Sequence, residues 1–483
     1  PGSSTRSMSL LRGINPNLRN IRNSELAPLG MRAWQIKDEL RQGARKPYKE
    51  LIDVSSADPH RAGVKPLSFV RQVLAVCYYP QLAKSDKLPA DVRQRAQRLL
   101  GTCAGGSAGS YCPAGGIPEI IDIVCEFISR RDDGVPSYPE NIFITSGAQR
   151  AFVEILNILV NTLRSPITGV LTPCPSYPPG NMAVVMLGGA VVPYYLDEEQ
   201  GWELKIDELH RALESAKGVC DPTVLYVINP GNPTGHVQSR KSIEEVIRFA
   251  SEKRLFLMVD EVYQDSVFEQ ESRFVSYKKV LAEMGPPLSH TVEMASFHSV
   301  SKGFIGECGL RGGYVELVNV DPSVMRNLYT LMSRDASTTT GQLALDLMIN
   351  PPQPGDPSYP LQLRETQYIR ATWVQNVKRV LEVLNSLPGI SCQPVKGGGY
   401  ALPRLHLPPG AIQKAKEVGM LPDYFYCSRL LEETELCVGA GSENGQREST
   451  YHIRLCITTS VDTMEEVLRR LTSFHIQFMK DFS

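Results

Sequence analysis

Residues 224–260, which read VLYVINPGNPTGHVQSRKSIEEVIRFASEKRLFLMVD, decide the fold class. The stretch begins and nearly ends with continuous apolar runs, at residues 224–228 and 255–259, and residues 242–250 between them carry apolar side chains at helical spacing. Helical spacing indicates a helix with one apolar face, whereas continuous runs bounded by proline, asparagine or aspartate indicate buried strands. Strand, helix and strand in succession predict a parallel βαβ unit.

Two further apolar runs, at residues 169–172 and 292–296, fit the same sheet. Continuously apolar strands are typical of parallel sheets that helices cover on both faces. The predicted fold class is therefore α/β, with a mostly parallel sheet in a large domain over residues 66–345.

The clearest break in the chain is the proline-rich stretch at residues 350–357. The pattern beyond it predicts a long helix, two short strands and a final helix, at residues 366–386, 390–394, 451–457 and 463–480. That succession predicts a smaller α+β domain over residues 346–483. Residues 1–65 are expected to form an N-terminal segment of helix and linker that packs with the smaller domain.

The composition excludes several classes of protein. The chain has 483 residues, 42% hydrophobic and 21% charged, and its 51 basic and 52 acidic side chains leave a formal charge of -1, which argues against a nucleic-acid-binding protein. A mean hydropathy of -0.17 and the lack of any apolar run of about 18 residues argue against a membrane-spanning helix. The eleven cysteines occur singly, without the spacing of zinc ligands, so no metal site is expected. Unpaired cysteines predict reduced thiols in the cytoplasm, with the mitochondrial matrix as the alternative compartment.

Polar residues at the carboxyl ends of the predicted strands are the first candidates for a site, because ligands of open α/β sheets bind there. They are Asn229 and Asn232 after the first strand, Asp260 after the second, and Ser299, Ser301 and Lys302 after the run at 292–296. An acid, an amide and a lysine that converge suit an aromatic nitrogen heterocycle that carries a phosphate.

Several of these candidates have a competing structural interpretation. Asp260 could cap the segment after it, or its carboxylate could keep the nitrogen of a pyridine ring protonated. Lys302 could be a surface residue, or an amine that bonds to an aldehyde. Tyr177 could pack in the core or stack on the ring, and Arg454 could be paired structurally or bind a substrate carboxylate with its planar fork.

Two features suit the phosphate of such a ligand. Ser299 and Arg311 could direct a hydroxyl and a guanidinium toward one anion. Residues 142–149 predict a strand, a small-residue turn and a helix start, where free N–H groups attract an anion. The glycine-rich stretches at 105–110 and 397–399 do not connect a strand to a helix, which argues against an NAD site.

Five segments resemble the alanine aminotransferase family, which belongs to the fold-type I enzymes that use pyridoxal 5'-phosphate. They are NPGNPTG at 229–235, DEVYQD at 260–265, SFHSVSKG at 296–303, GECGLRGGY at 306–314 and GQR at 445–447. The segments follow the family's order, and the resemblance extends from about residue 14 to residue 480.

The resemblance implies a role for each matching residue. It implies that Lys302 bonds to the cofactor and moves the proton at the substrate Cα, with Asp260 and Tyr263 as the other catalytic groups. Asp260 would pair with the ring nitrogen, Asn232 and Tyr263 with the phenolic oxygen, and Tyr177 would stack on the ring. The phosphate would be held by Ala148, Gln149, Ser299, Arg311 and, from a partner subunit, Tyr111. The substrate would contact Arg454, Ala57 and Asn232. The active unit would be a homodimer.

Departures from the family pattern concentrate on the substrate side. The family's Asn-Ile-Gly-Asp becomes Ser55-Ser56-Ala57-Asp58, so the backbone near the substrate carboxylate gains a methyl group. Gln149 replaces the usual serine. The segments at 111–116, 336–342 and 439–445 also differ, and the family's N-terminal motif is not recognisable around residues 22–28.

Three functional hypotheses follow from this asymmetry. The first is amino transfer from alanine to 2-oxoglutarate, giving pyruvate and glutamate, with a repacked pocket. The second is a related enzyme that acts on another substrate at Cα, by decarboxylation, carbon–carbon bond formation or elimination. The third is a protein that binds the cofactor without turnover.

Overall fold

The computed structural model describes residues 15–19, 29–268, 273–334 and 336–483. Residues 22–28, around which the family's N-terminal motif is not recognisable, lie outside these ranges. The strands are β1 Ile52–Asp53, β2 Ile142–Thr145, β3 Thr168–Cys174, β4 Ala190–Tyr195, β5 Asp221–Ile228, β6 Phe256–Asp260, β7 Met294–Ser299, β8 Gly313–Val318, β9 Ile390–Ser391, β10 Tyr400–Ala401, β11 Arg404–Leu405, β12 Leu436–Cys437, β13 Gly439–Ala440 and β14 Ile453–Cys456.

The α-helices surround these strands. They span Pro16–Arg19, Leu29–Arg41, Ser68–Tyr78, Ala90–Thr102, Pro118–Arg131, Ala148–Leu159, Pro178–Met186, Ile206–Ala216, Arg240–Lys253, Tyr277–Met284, Leu288–Thr291, Pro322–Met332, Thr339–Ile349, Tyr359–Ser386, Pro409–Glu417, Pro422–Thr434 and Val461–Asp481. No helix in the described ranges combines the length and the apolar character needed to span a bilayer.

A seven-stranded sheet with the order β2-β8-β7-β6-β5-β3-β4 forms the centre of the fold. The β3–β4, β3–β5, β5–β6 and β6–β7 pairs are parallel, and β8 runs antiparallel to both of its neighbours. The predicted α/β class and the mostly parallel sheet are confirmed.

The central strands are buried on both faces because alternate side chains enter two different apolar clusters. Leu225, Val227 and Val259 belong to the cluster on one face, and Tyr226 and Met258 belong to the cluster on the other. Both faces therefore bury apolar surface, and each Å² of buried apolar surface stabilises the fold by about 25 cal/mol. Strands that bury both faces have no polar alternation, which is why they read as continuous apolar runs.

The helix between β5 and β6 has clear signals at both ends. The Ser239 hydroxyl accepts the N–H of Ser242 at 3.2 Å, which satisfies one of the free donors of the first turn. Arg254 ends the helix in the left-handed conformation, with φ of 54°. The helix therefore returns the chain to the start of β6, so that β5 and β6 both end at the same edge of the sheet.

The C-terminal region contains short antiparallel strands and the long helix Tyr359–Ser386. This helix begins earlier than predicted, because Pro360 lies in its first turn. The N–H groups of the first turn have no partner within a helix, so a proline there costs no hydrogen bond. β14 lies between β10 and β13, and β1 of the N-terminal segment pairs with β12 in parallel. The division into three parts at residues 65 and 345 stays a prediction.

Candidate active site

A cavity of about 410 Å³ opens at the carboxyl ends of β5, β6 and β7. It brings together residues from the whole length of the chain. The predicted site residues that line it are Ala57, Ala148, Gln149, Tyr177, Asn232, Asp260, Ser299, Lys302, Arg311 and Arg454. A larger cleft, of about 610 Å³, lies beside the helix Leu29–Arg41 and contains none of this set.

Asp260 is the last residue of β6 and is half-buried at the cavity wall. One oxygen accepts the N–H of Val262 at 3.2 Å, and the other accepts the hydroxyl of Tyr226 at 3.3 Å. Burial raises the pKa of Asp260 to about 6, against the lowering effect of these hydrogen bonds and of the charge on Lys302. A carboxylate that is costly to ionise alone is a good partner for a cationic ring nitrogen.

Replacing Asp260 with asparagine should change how stability depends on pH. The unshifted pKa is 3.8, so between about pH 4 and pH 6 the folded protein binds more protons than the unfolded chain, and stability falls as the pH rises. We expect the free energy of unfolding of Asp260→Asn, minus that of the unchanged protein, to be about 2–3 kcal/mol larger at pH 8 than at pH 4. The variant is thus relatively more stable at pH 8. Urea unfolding of the ligand-free proteins at both pH values measures this difference, and equal values at the two pH values would contradict it. Other buried acids contribute equally to both proteins and cancel.

Lys302 lies in the cavity wall, three residues beyond the end of β7. Its Nζ donates a hydrogen bond of 2.8 Å to the carbonyl oxygen of Ala57 and lies 5.7 Å from the centre of the Tyr263 ring. The amine is therefore held inside the site by a carbonyl and an aromatic face, with no carboxylate in direct contact among the described residues. A weakly held amine of this kind is free to exchange its partner.

One end of the cavity is suited to an anion. The Arg311 guanidinium donates to the carbonyl oxygens of Cys308 at 2.8 Å and Ser146 at 3.3 Å, and to the Ser301 hydroxyl at 3.3 Å. No carboxylate within the described ranges pairs with Arg311, so its charge remains available to a ligand.

The start of the helix Ala148–Leu159 faces the same guanidinium. Gly147 precedes it with φ of 91°, and a Cβ at this position would lie 2.5 Å from Nη2 of Arg311. Only glycine permits this close approach of a backbone to the guanidinium. Together with the free N–H groups of the first helical turn, Arg311 forms a cradle of the size and charge that a phosphate needs.

Two buried oxygen atoms beside the cavity have no hydrogen-bond partner among the described residues. They are Oδ1 of Asn232 and the hydroxyl of Tyr263, whose residues are 8% and 2% exposed. A buried polar group without a partner costs about 1–3 kcal/mol. The orphaned pair therefore fits a ligand hydroxyl that donates to Oδ1 of Asn232 and accepts from Tyr263, and pyridoxal 5'-phosphate carries a hydroxyl on its ring.

The other end of the cavity contains Arg454 on β14. Its Nη2 donates to the carbonyl oxygen of Ser55 at 2.6 Å, its Nε is buried without a partner in the described structure, and its guanidinium lies 4.8 Å from the centre of the Tyr400 ring. The Tyr400 hydroxyl accepts the N–H of Ala57 at 2.7 Å. No described carboxylate forms an ion pair with Arg454, so a substrate carboxylate would have a planar fork to bind.

Of the remaining predicted residues, three line the cavity and Tyr111 does not. Tyr177 precedes the helix Pro178–Met186 and lines the cavity, and burial raises its pKa to about 12. Gln149 turns its amide to the carbonyl oxygen of Pro179 at 3.2 Å. The Ser299 hydroxyl accepts the N–H of Ser301 at 3.3 Å. Tyr111 is 95% exposed and does not line this cavity.

Sequence reasoning missed Tyr226, Cys308 and Tyr400, all of which line the cavity, and it found Ser301, which lines the cavity as well. Strand alternation could have found Tyr226, because it points to the sheet face opposite to Leu225. Tyr400 gave no local signal, because its role depends on Ala57 and Arg454, which are distant in the chain. Within the described ranges, no three His, Cys, Asp or Glu side chains cluster closely enough to hold a metal ion.

Comparisons with known proteins give a consistent result. The family described as "Aminotransferase class I and II" matches residues 73–471. The chain is 47% identical to alanine aminotransferase 2 of Xenopus tropicalis and to alanine aminotransferase 1 of Homo sapiens, in each case over 98% of this chain and over 90% and 96% of those proteins. The crystal structure of an aminotransferase from Escherichia coli superimposes with a TM-score of 0.73 at 19% identity, over 96% of this chain and 98% of that chain.

Proposed function

Because the chain belongs to the class I and II aminotransferases, we propose that it transfers the amino group of L-alanine to 2-oxoglutarate, giving pyruvate and glutamate, with pyridoxal 5'-phosphate as its cofactor. One observation carries the proposal. Arg311 and Arg454, two guanidinium groups that form no ion pair with a described carboxylate, line the same cavity as Asp260 and Lys302. A phosphate and an α-carboxylate are the two anions that this reaction requires.

The residues present fit the cofactor. Arg311, Ser299 and the N–H groups of Ala148 and Gln149 would hold its phosphate, and Tyr177 would stack on its ring. The orphaned side chains of Asn232 and Tyr263 would bind the ring oxygen. When bound, the cofactor supplies an electron sink that stabilises negative charge at the substrate Cα.

The protein's own groups then position the substrate and move one proton. Asp260 holds a proton on the ring nitrogen, since a buried carboxylate is stabilised by a cation next to it. Arg454 binds the α-carboxylate and so fixes the orientation of the Cα–H bond. Lys302 Nζ takes the proton from Cα as a general base and returns it as a general acid.

Half-reactions measured separately test this proposal. Stopped-flow absorbance follows the bound cofactor when the loaded protein is mixed with alanine alone or with glutamate alone. We expect both amino acids to convert the cofactor, with pyruvate and 2-oxoglutarate as the respective products. If neither amino acid reacts and another one releases carbon dioxide, the protein catalyses a different reaction at Cα and the proposal is wrong.

We further propose that the active unit is a homodimer in which Tyr111 completes the phosphate site of its partner. The extreme exposure of Tyr111 supports this, as does the exposure of Tyr78, Tyr79 and Tyr329, which are 54%, 58% and 51% exposed. Exposed aromatic side chains are enriched at interfaces. All eleven cysteines are free, which supports a reducing compartment, the cytoplasm or the mitochondrial matrix.

Removal of the Tyr111 hydroxyl tests the dimer contact. We expect Tyr111→Phe to weaken binding of pyridoxal 5'-phosphate by about tenfold, because one hydrogen bond to a charged group is lost. Fluorescence titration gives the Kd, and Tyr138→Phe, at another exposed tyrosine, is the control. An unchanged Kd for Tyr111→Phe, or a monomeric mass in sedimentation, would contradict the proposal.

A further inference from the structure

Gly399 lies beside the cavity at a position where its backbone does not require glycine. Its φ lies outside the left-handed region, whereas φ of the preceding Gly398 is 82°. The φ of Gly399 therefore gives no reason for a glycine at this position. The reason for a glycine at 399 must therefore be the space around it.

That space is occupied by two residues of the proposed site. A Cβ on residue 399 would lie 3.1 Å from the Cβ of Ala57, 3.0 Å from Cε1 of Tyr263 and 3.1 Å from the Tyr263 hydroxyl. These distances are shorter than ordinary van der Waals contacts, so one of the neighbours would have to move. The Ala57 methyl group and the Tyr263 ring thus both lie against the place that a side chain of residue 399 would take.

Ala57 cannot move away without breaking hydrogen bonds. It is 4% exposed, its N–H donates to the Tyr400 hydroxyl at 2.7 Å, and its carbonyl accepts Nζ of Lys302 at 2.8 Å. Gly399 is fixed as well, because its carbonyl accepts the N–H of Ile457 at 3.0 Å. The contact between residues 57 and 399 therefore joins two rigid parts of the wall.

The turn that contains Ala57 also connects the two ends of the substrate. The carbonyl of Ser55 accepts the guanidinium of Arg454 at 2.6 Å, and the carbonyl of Ala57 accepts the amine of Lys302. If Arg454 binds the α-carboxylate and Lys302 moves the Cα proton, the substrate side chain lies along this turn. A shift of the turn by a fraction of an ångström would change both the geometry at Cα and the room for the side chain.

We propose that Ala57 and Gly399 form a matched pair that sets the specificity of the enzyme for a small amino-acid side chain. The Ala57 methyl group limits the room, and the missing side chain at Gly399 allows that methyl group to be there. This inference rests on the proposed function. It predicts that the two positions are energetically coupled and that the order of substrate preference depends on residue 57.

Four proteins test the pair: the unchanged enzyme, Ala57→Gly, Gly399→Ala and the double variant. Each loaded protein is assayed with alanine and with 2-aminobutyrate, which is one methylene longer, and its unfolding midpoint is measured. Gly399→Ala should lower kcat/KM for alanine by about 10- to 100-fold and lower the midpoint by about 3 °C, because it overpacks the wall. The double variant should recover part of both losses, since removal of the Ala57 methyl group relieves one of the three close contacts of the added methyl group and leaves the two with Tyr263.

Ala57→Gly alone should raise kcat/KM for 2-aminobutyrate relative to alanine by about tenfold, the usual value of one methylene in a pocket. The control is Gly101→Ala, at an exposed position of the helix Ala90–Thr102 with no atom within 4 Å of the added Cβ, and it should not change the ratio of kcat/KM for the two substrates. Losses in the double variant equal to the sum of the single losses, or an unchanged substrate ratio in Ala57→Gly, would overturn the inference. Coupled unfolding midpoints in a protein that does not convert alanine would instead refute the proposed function and retain the matched pair.

Discussion

Lys302→Ala is expected to lower kcat for alanine by about 10⁴-fold or more while the protein stays folded. Lys302 is the amine in the cavity that combines reach, a carbonyl partner at 2.8 Å and an aromatic face at 5.7 Å. General acid–base catalysis alone contributes about 10²–10⁴-fold, and the loss of covalent attachment adds to that. Steady-state kinetics measure the loss, and circular dichroism checks the fold.

Chemical trapping separates this role from a structural one. Borohydride reduction of the loaded protein should attach the cofactor permanently to the peptide that contains Lys302, and mass spectrometry identifies the peptide. Lys302→Arg is the matched variant, because it keeps the positive charge but cannot bond to the aldehyde. Rapid turnover by Lys302→Ala, or a cofactor attached to another lysine, would contradict the assignment.

Arg454→Ala is expected to raise KM for alanine between about 30-fold and more than 1,000-fold. Truncation of one partner of a buried charge pair costs about 2–5 kcal/mol, and each 1.4 kcal/mol is a factor of ten. The Nε of Arg454 is buried without a partner in the described structure, so the free enzyme has donors ready for the α-carboxylate. Steady-state kinetics with alanine and with glutamate measure the effect.

A substrate that is an amine without a carboxylate tests whether the effect of Arg454→Ala depends on the α-carboxylate. Ethylamine should react slowly and at the same rate with Arg454→Ala as with the unchanged enzyme, because Arg454 has nothing to bind. Arg454→Lys should give an intermediate KM, since it retains the charge and loses the fork. Arg447→Ala is the control, because the guanidinium of Arg447 lies 5.3 Å from the Tyr195 ring and outside the cavity. An unchanged KM in Arg454→Ala would mean that the carboxylate binds elsewhere.

The family was predictable because its motifs are local. The segments around Asn232, Asp260 and Lys302 each keep a strand end and its polar residues within a few positions, so a reader of the sequence can recognise them one by one. The predictions of an aminotransferase and of an enzyme are confirmed by the comparisons. The roles of the individual site residues stay predictions.

Other parts of the site had no local signal. Tyr400 orients Ala57 through a hydrogen bond and Arg454 through its ring, and these contacts join positions that are 343 residues apart and 54 residues apart along the chain. The reason for glycine at position 399 depends on the same kind of contact. A run of three glycines in a sequence predicts flexibility or a turn. At Gly399 the structure gives another reason for a glycine, because a Cβ there would lie too close to Tyr263 and Ala57.

By itself, the sequence determined the α/β class, the strand ends that carry Asp260 and Lys302, and the family. It could do so because buried strands and amphipathic helices each produce a pattern of apolar residues within a few neighbouring positions of the chain. Only the tertiary structure decided that Arg311 and Arg454 form no ion pair with a carboxylate of the described residues and that the Ala57 methyl group lies against the space above Gly399. Both facts are distances between segments far apart in the chain, and such distances exist only once the sheet edge and the C-terminal strands have packed together.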